Sequence, residues 1–343
     1  MLLHYSINMR NDKALSIIVP FYNVEDYIGD CLDSLLQTTG IEQTEIILVD
    51  DGSTDRTGEI AASYSRQYEF MKYHHINNSG PATARNYGIK KAEGTYIFFC
   101  DSDDKVVAEN FASVIDLVKT INVDMITWNA GRITKEGYSS DERNKDYFDH
   151  VGLNESDGIL TGRQIVEKQL RCRGDYPATI WLGAYRRDFL LKNDLFFEDG
   201  LLHEDELWSH QVLLKAETVQ YINKKVYLYR NRPGSVMNPI NEDMTKRIES
   251  VIYVYTALYK LCDEEMKDDP VKKLYEANLT RRYMYMIYLY RFYRNGYGNR
   301  IDIKLLWEKN DSIKYRIKLL LLIAHGRLSC LFGGIDLGSS KCR

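Results

Sequence analysis

The stretch Tyr96-Ile97-Phe98-Phe99-Cys100 runs directly into Asp101-Ser102-Asp103-Asp104. An unbroken run of strand-forming residues with no polar alternation suits a strand buried on both faces of a parallel sheet. In open α/β sheets ligands bind beyond the carboxyl ends of the strands, and that is where these carboxylates fall. Acids so closely spaced repel one another unless a cation lies among them. Hard divalent ions such as Mg²⁺ or Mn²⁺ take oxygen ligands and are commonly shared between carboxylates and substrate phosphates. A solvated acidic turn is the competing account of a bare Asp-x-Asp. Its place at a strand end weighs against that account.

The rest of the N-terminal two thirds repeats the pattern. Leu15 to Val19 is a buried-strand run closed by Pro20, which cannot donate to a central ladder. Val24, Tyr27, Ile28, Cys31, Leu32, Leu35 and Leu36 then recur at helical spacing. Ile46 to Val49 is a second strand, followed by Asp50-Asp51-Gly52-Ser53-Thr54-Asp55. Ser53 or Thr54 can cap the next helix, and Asp55 suits the positive end of its dipole. Met71 to His75 reads as a third strand, with His74 and His75 as strand residues and not metal ligands. Gly80-Pro81 opens a helix that carries Arg85 and Asn86 and stops near Gly94. A helix around Phe111 to Val118 and a strand from Asp124 to Trp128 follow. Alternation of this kind implies βαβ units and an α/β fold with a mainly parallel sheet.

From Gly131 to Asp157 the pattern dissolves, and a surface excursion, as a short hairpin or a mobile loop, is expected. Thr161 with Gln164 fits a capping box. A second acidic stretch, Asp199, Glu204, Asp205 and Glu206, leads into a helix through Ala216. Val226 to Tyr229 reads as a strand and Arg230 to Ser235 as a basic loop. Beyond Asn241 the period is helical throughout, with segments from Met244 to Cys262, about Val271 to Arg294 and about Ser312 to Leu331. The expected boundary near Ile240 separates an α/β domain, 1–240, from a helical region, 241–343.

A chain of 343 residues exceeds the usual size of a single core, so one large or two unequal domains are expected. Its net charge of −4 argues against a nucleic-acid partner, whose electrostatic footprint would be basic. The six cysteines lack CxxC spacing, and Cys31 and Cys100 sit in apolar patterns, so reduced core thiols are expected. Residues 1–11 hold no apolar run suited to a signal peptide, and no stretch has the length of a membrane span. A reducing, cytoplasmic compartment follows.

No GxGxxG and no GxxxxGK[ST] follows the first strand, which supports neither a dinucleotide fold nor a P-loop. The first loop offers Tyr22 and Glu25 and the second offers Asp51. A ring and a carboxylate at adjacent strand ends could stack on a base and accept its imide hydrogen. Each also has a plain account, Tyr22 as packing and Asp51 as a helix-start acid.

Five segments now stand in order: LSIIVPFYN (15–23), IILVDDGSTD (46–55), NNSGPATARNYG (77–88), GTYIFFCDSDD (94–104) and Glu204-Asp205. The series resembles the family 2 glycosyltransferases, inverting enzymes of the GT-A fold that use nucleotide-diphosphate sugars. The resemblance spans residues 15 to about 237. It implies that Pro20, Tyr22 and Glu25 form the first nucleotide-contacting loop and that Asp51 reads a uracil edge. It places Arg85 near the donor sugar and diphosphate, and Asp101 with Asp103 as the DxD pair. Asp103, or its neighbour Asp104, would be the direct ligand of Mn²⁺ or Mg²⁺. Asp205 matches the catalytic base, and Arg230, Arg232 and Ser235 match a loop able to close over the diphosphate. A UDP-sugar donor and a lipid-linked or polysaccharide acceptor, in capsule, exopolysaccharide or lipopolysaccharide assembly, are the implied substrates. A helix-capping Asp without chemistry competes for Asp205. No Gln-x-x-Arg-Trp follows it, so addition of a single sugar is expected.

Two other classes stand beside this one: a sugar nucleotidyltransferase, which should show a Gly-rich basic first loop, and a non-catalytic nucleotide-sugar scaffold. The C-terminal third matches no family motif. Thirteen of the 26 tyrosines fall between Tyr221 and Tyr297, where sugar stacking, an interface and a membrane boundary compete with core packing. Residues 311–343 carry a net +4, and 312–331 reads as a basic amphipathic helix for an anionic membrane surface. A peripheral position on the inner face of the cell membrane is the corresponding expectation.

Overall fold

All seven residues of the first strand, β1 (Leu15–Phe21), are buried, because helices cover the sheet on both sides. The computed structural model describes residues 13–134, 137–138, 147–231 and 244–331. Contacts divide the chain into two compact units, Met1–Asn238 and Pro239–Arg343.

In the first unit β1 leads through α1 (Ile28–Leu36) to β2 (Glu45–Asp50), and then through α2 (Thr57–Gln67) to β3 (Met71–His75). After α3 (Pro81–Lys91) come β4 (Tyr96–Phe99), the short β5 (Lys105–Val106), α4 (Ala108–Val118) and β6 (Met125–Thr134). Next are β7 (Gly137–Tyr138), β8 (Ile159–Leu160), α5 (Gly162–Arg173) and β9 (Gly183–Arg186). Then α6 (Arg187–Lys192), α7 (Glu204–Lys215) and β10 (Val219–Arg230) complete the unit. The sheet runs β3-β2-β1-β4-β9-β6-β10-β5, with β7 on β6 and β8 on β10.

The β3-β2-β1-β4 half is parallel throughout. Beyond it the sheet is mixed, because β9 lies antiparallel between β4 and β6 while β6 and β10 run parallel. Residues 183–186 carry no strand period of their own. The crossover direction reverses between β1 and β4, and such a switch opens a crevice at the strands' carboxyl ends. Pro20 lies inside the central strand and not at its end, in register with Val49. Its missing N–H is tolerated because it faces the β4 side, where pairing stops at Ile18 and Phe99.

Within the expected excursion over 131–157, β7 pairs antiparallel with the end of β6, as a short hairpin would. β6 runs on to Thr134, and Phe148 packs 4.7 Å from the Trp181 ring. The helix starts differ as well. Ser53 and Thr54 do not cap α2; Glu25 accepts Arg56 N–H at 3.0 Å and Asp55 accepts Thr57 N–H at 2.9 Å.

The opposite end of the sheet is held by a buried acid. Glu45 Oε1 accepts from Ser16 Oγ at 2.6 Å and from the backbone of Glu93 and Gly94, while Oε2 faces Lys13 and Lys72. Burial works against its charge, and these donors outweigh it, leaving the pKa below its ordinary 4.5. Close to this end α3 lies flat on β1. A Cβ on Gly88 would meet Ile18 Cγ2 at 2.4 Å, so only glycine allows that approach.

The second unit is helical: α8 (Met244–Glu265), α9 (Lys272–Leu289), α10 (Ile303–Glu308) and α11 (Ile313–Leu331). Several tyrosines there are core residues. Tyr255 and Tyr283 stack at 4.7 Å, and the Tyr259 hydroxyl meets Thr280 Oγ1 at 2.8 Å. Tyr253, Tyr285 and Tyr288 are exposed.

Replacing Glu45 by Ala strands the Ser16 hydroxyl and two backbone N–H groups, and we expect a loss of about 2 kcal/mol or more in urea unfolding. A carboxylate with a lowered folded pKa stabilises above its unfolded value and loses that contribution as pH falls through the folded one. The gap between wild type and variant should therefore narrow below pH 4.5. An undiminished gap there would refute the ionised role.

Candidate active site

Three connections at the carboxyl edge of the parallel half supply the acids. The loops after β1 and β2 are laced together, Asn23 Oδ1 accepting Thr54 N–H at 2.8 Å while Thr57 Oγ1 accepts Val24 N–H at 2.8 Å. Asn23 takes a positive φ of 50° to make that turn. Tyr22 stands 46% exposed at this edge. Glu25, expected among the nucleotide contacts, accepts Arg56 N–H at the start of α2 through Oε2.

Asp51 lies buried beside it. Its two oxygens accept Ser79 N–H and Gly80 N–H, both at 2.8 Å. Gly80 donates from φ 94°, ψ 165°, a conformation open to glycine, and Pro81 then starts α3. Burial raises Asp51's pKa against those two bonds. Each oxygen keeps a second lone pair for a ligand donor. Asp50 faces the protein, bound by Tyr73 and Ser53.

α3 carries the central cation. Arg85 is 7% exposed, with Nη1 2.5 Å from Glu204 Oε1 and Nη2 3.1 Å from Asp101 Oδ1. It thereby joins the end of β4 to the start of α7, and its Nε is buried with no acceptor among the described residues. Its neighbour Asn86 fixes the approach to α7. The Asn86 amide gives and takes a 2.8 Å bond with the backbone of Phe197. Phe197 stacks on Trp208 at 4.7 Å, and Phe99 of β4 meets Trp208 edge-on at 5.5 Å. The acids of α7 thus rest on an aromatic block whose other half is the strand that carries Asp101.

Asp205 opens α7 after His203, whose φ is 64°. Such a left-handed histidine is strained and persists only where its surroundings hold it. Desolvation first, then the charge of Glu204, pushes the Asp205 carboxyl up to about 7, although Arg85 pulls the other way. Asp101 is also raised, by burial ahead of the Arg85 attraction that opposes it. Arg85 itself is held charged, with Asp101 and then Glu204 outweighing the cost of burial.

A strand more than a hundred residues downstream shapes the Asp101–Asp104 turn. The Tyr227 hydroxyl accepts Asp101 N–H at 3.0 Å and donates to Asp104 Oδ2 at 2.7 Å. Asp104 Oδ1 accepts Arg230 N–H at 2.6 Å, and Arg230 Nε donates to the Asp103 carbonyl at 2.8 Å. Asp104 is 1% exposed, and each of its oxygens accepts a bond from within the protein, so it braces the turn. Arg230 also has Nη2 3.0 Å from Asp30 and its guanidinium carbon 5.4 Å from the centre of the Tyr27 ring. Arg232 and Ser235 lie outside the described residues. Sequence reading missed Tyr227 and Glu204 as partners of this site. Glu204 could have been suspected from its place beside Asp205, whereas nothing in the local pattern marks Tyr227.

Among the described residues no three acids, histidines or cysteines form a metal cage. The half-buried Asp103 and the second oxygen of Asp101 instead suit a hard cation completed by ligand phosphates and water.

Comparison with known proteins agrees with this geometry. A model of glycosyl transferase family 2 matches residues 16–178. The uncharacterized glycosyltransferase YibD of Escherichia coli K12 is 33% identical over 224 residues, 64% of this chain and 62% of its own length, so the chain spans less than two thirds of that relative. EpsJ of Bacillus subtilis 168, also described as an uncharacterized glycosyltransferase, is 32% identical over 262 residues, 74% of this chain and 73% of its own. A crystal structure of S. aureus TarS 1–349 in complex with UDP-GlcNAc has a TM-score of 0.59 at 20% identity, covering 94% of this chain and 93% of that one. At that identity the likeness is one of fold, here GT-A with added C-terminal helices. The strand-end acids, the Arg85 bridge and the extent of the match to EpsJ lead to one conclusion: this chain belongs to the family 2 glycosyltransferases.

Proposed function

We propose that the protein moves one sugar from a UDP-sugar to a hydroxyl of a lipid-linked or polysaccharide acceptor, with inversion, in bacterial surface-polysaccharide assembly. The observation that carries this is the Arg85 bridge, with Asp205 beside it held near neutrality. In a single displacement the acceptor hydroxyl attacks opposite the departing diphosphate and loses its proton as it does so. A carboxyl titrating near 7 is matched to that work, since it is basic enough to take the proton and ionised for much of the time.

The other residues divide the remaining tasks. Tyr22 offers a face to the base, and Asp51 its spare lone pairs to the uracil edge. Arg85 would supply the positive charge that attracts the diphosphate to the strand ends. Asp103, with Asp101, would hold Mn²⁺ or Mg²⁺, which when bound acts as a Lewis acid on the leaving diphosphate. Tyr227, Asp104 and Arg230 keep the turn in shape. We place the enzyme in the cytoplasm, peripheral to the inner face of the membrane where a lipid-linked acceptor would lie.

Hydrolysis of a UDP-sugar to UDP gives a turnover readout that needs no acceptor. We expect Asp205→Asn to lower kcat by about 10²–10⁴-fold while calorimetric UDP binding is kept. Below its pKa the base is protonated and idle, so wild-type kcat/KM should rise with pH through a limb near 7. Glu204→Gln removes a like charge and should move that limb to lower pH. A limb unchanged in Asp205→Asn would remove Asp205 from the base role.

UDP binding should be stronger with Mn²⁺ than without, and Asp103→Asn should abolish the difference. Metal-indifferent binding would remove the cation from the mechanism. No binding of UDP, GDP or dTDP would overturn the donor site, whereas UDP binding without turnover of any UDP-sugar would favour the non-catalytic scaffold.

A further inference from the structure

The C-terminal helix leaves an apolar stripe in solvent. Ile313, Ile317, Leu320 and Leu321 of α11 are 75%, 52%, 52% and 62% exposed. At 3.6 residues per turn the four fall within about 100° of arc, one continuous face. Leu319, on the far side, is 1% exposed and anchors the helix to its own unit. The stripe is therefore not the face that α11 uses for folding.

Its borders are basic. Lys314 and Lys318 lie along one edge, Arg316 lies along the other with its guanidinium against Asn310 and the Trp307 ring, and Ile313–Leu331 contains no Asp or Glu. The nearest preceding acids are engaged, Glu308 with Lys304 at 3.9 Å and Asp311 with Arg281 at 3.2 Å. Trp307, an interfacial residue type, is 39% exposed one turn before the helix. The whole chain carries −4, whereas residues 311–343 carry +4. No described helix is long and apolar enough to cross a membrane.

We propose that α11 docks the protein on an anionic bilayer surface, lying in the plane of the interface with Ile313, Ile317, Leu320 and Leu321 in the acyl boundary and its lysines at the lipid phosphates. A second copy of the same basic face would meet like charge, whereas an anionic membrane complements it. This deepens the proposed function, because a lipid-linked acceptor would be met at that surface.

Co-sedimentation of the full chain with vesicles of phosphatidylglycerol and phosphatidylcholine, and of phosphatidylcholine alone, tests the assignment. Binding should require the anionic lipid and weaken as salt rises. The pairs Lys314→Glu with Lys318→Glu, and Ile317→Ser with Leu321→Ser, alter exposed positions, and each should lower the partition coefficient at least about tenfold. Absence of vesicle binding, or binding indifferent to both pairs, overturns the proposal. So does a wild-type dimer in sedimentation velocity that the Ser pair converts to monomer with no lipid dependence, which would make the stripe an interface between copies. Calorimetric UDP binding should be the same in every variant. A failure there counts against the donor site and not against the docking surface.

Discussion

A buried guanidinium is an expensive thing to fold around, and Arg85 is acceptable only because Asp101 and Glu204 take its two terminal nitrogens. Removing one partner of such a buried pair costs on the order of 3–5 kcal/mol, because the other charge is left without compensation. The dependence runs in both directions. Without Arg85 the carboxyls of Asp101, Glu204 and Asp205 would gather in a desolvated space with no cation among them. Their separation into a bridge and a carboxyl near 7 rests on this one side chain. The close seat of α3, made possible by Gly88 against Ile18, is what brings Arg85 over the strand ends.

The Asp101–Asp104 turn depends on a second long-range arrangement. Tyr227 and Arg230 from β10 take up Asp104 and the carbonyl of Asp103, closing the turn from behind. Of three adjacent carboxylates, one is thereby made structural and another left half-buried at the edge. This division separates Asp103 from Asp104, which are chemically identical and neighbours in the chain.

Asp205 is positioned by packing. Trp208 lies one turn beyond Asp205 and bears on Phe197 and Phe99, while Asn86 locks the Phe197 backbone. The same aromatic block supports Asp101 through β4, so both acids are referred to one rigid base. A strained His203 at the entry to α7 fits a helix start whose direction is set by that packing and not by local preference.

Local sequence determined most of the parallel half. Apolar runs ending in acids, helical periods between them, and Gly80-Pro81 at a helix start are short-range signals with short-range causes. They placed β1 to β4 and the strand-end acids, and the family resemblance added roles to them. Much of the sheet beyond β4 was not legible. Residues 183–186 become a strand only by filling the gap between β4 and β6, and β10 extends well past its apolar run because β6 offers a ladder. The site divides in the same way. That Asp205 could be a base was readable, but its raised pKa arises from burial and from the like charges of Glu204, Glu206 and Asp101, set against the pull of Arg85, groups brought together from three segments. Asp104, Glu25 and Arg230 looked available from their residue types and are in fact engaged with protein partners. A sequence names the groups that can bind or ionise; only the tertiary structure decides which of them already have partners, because hydrogen bonding and desolvation depend on residues far apart in the chain.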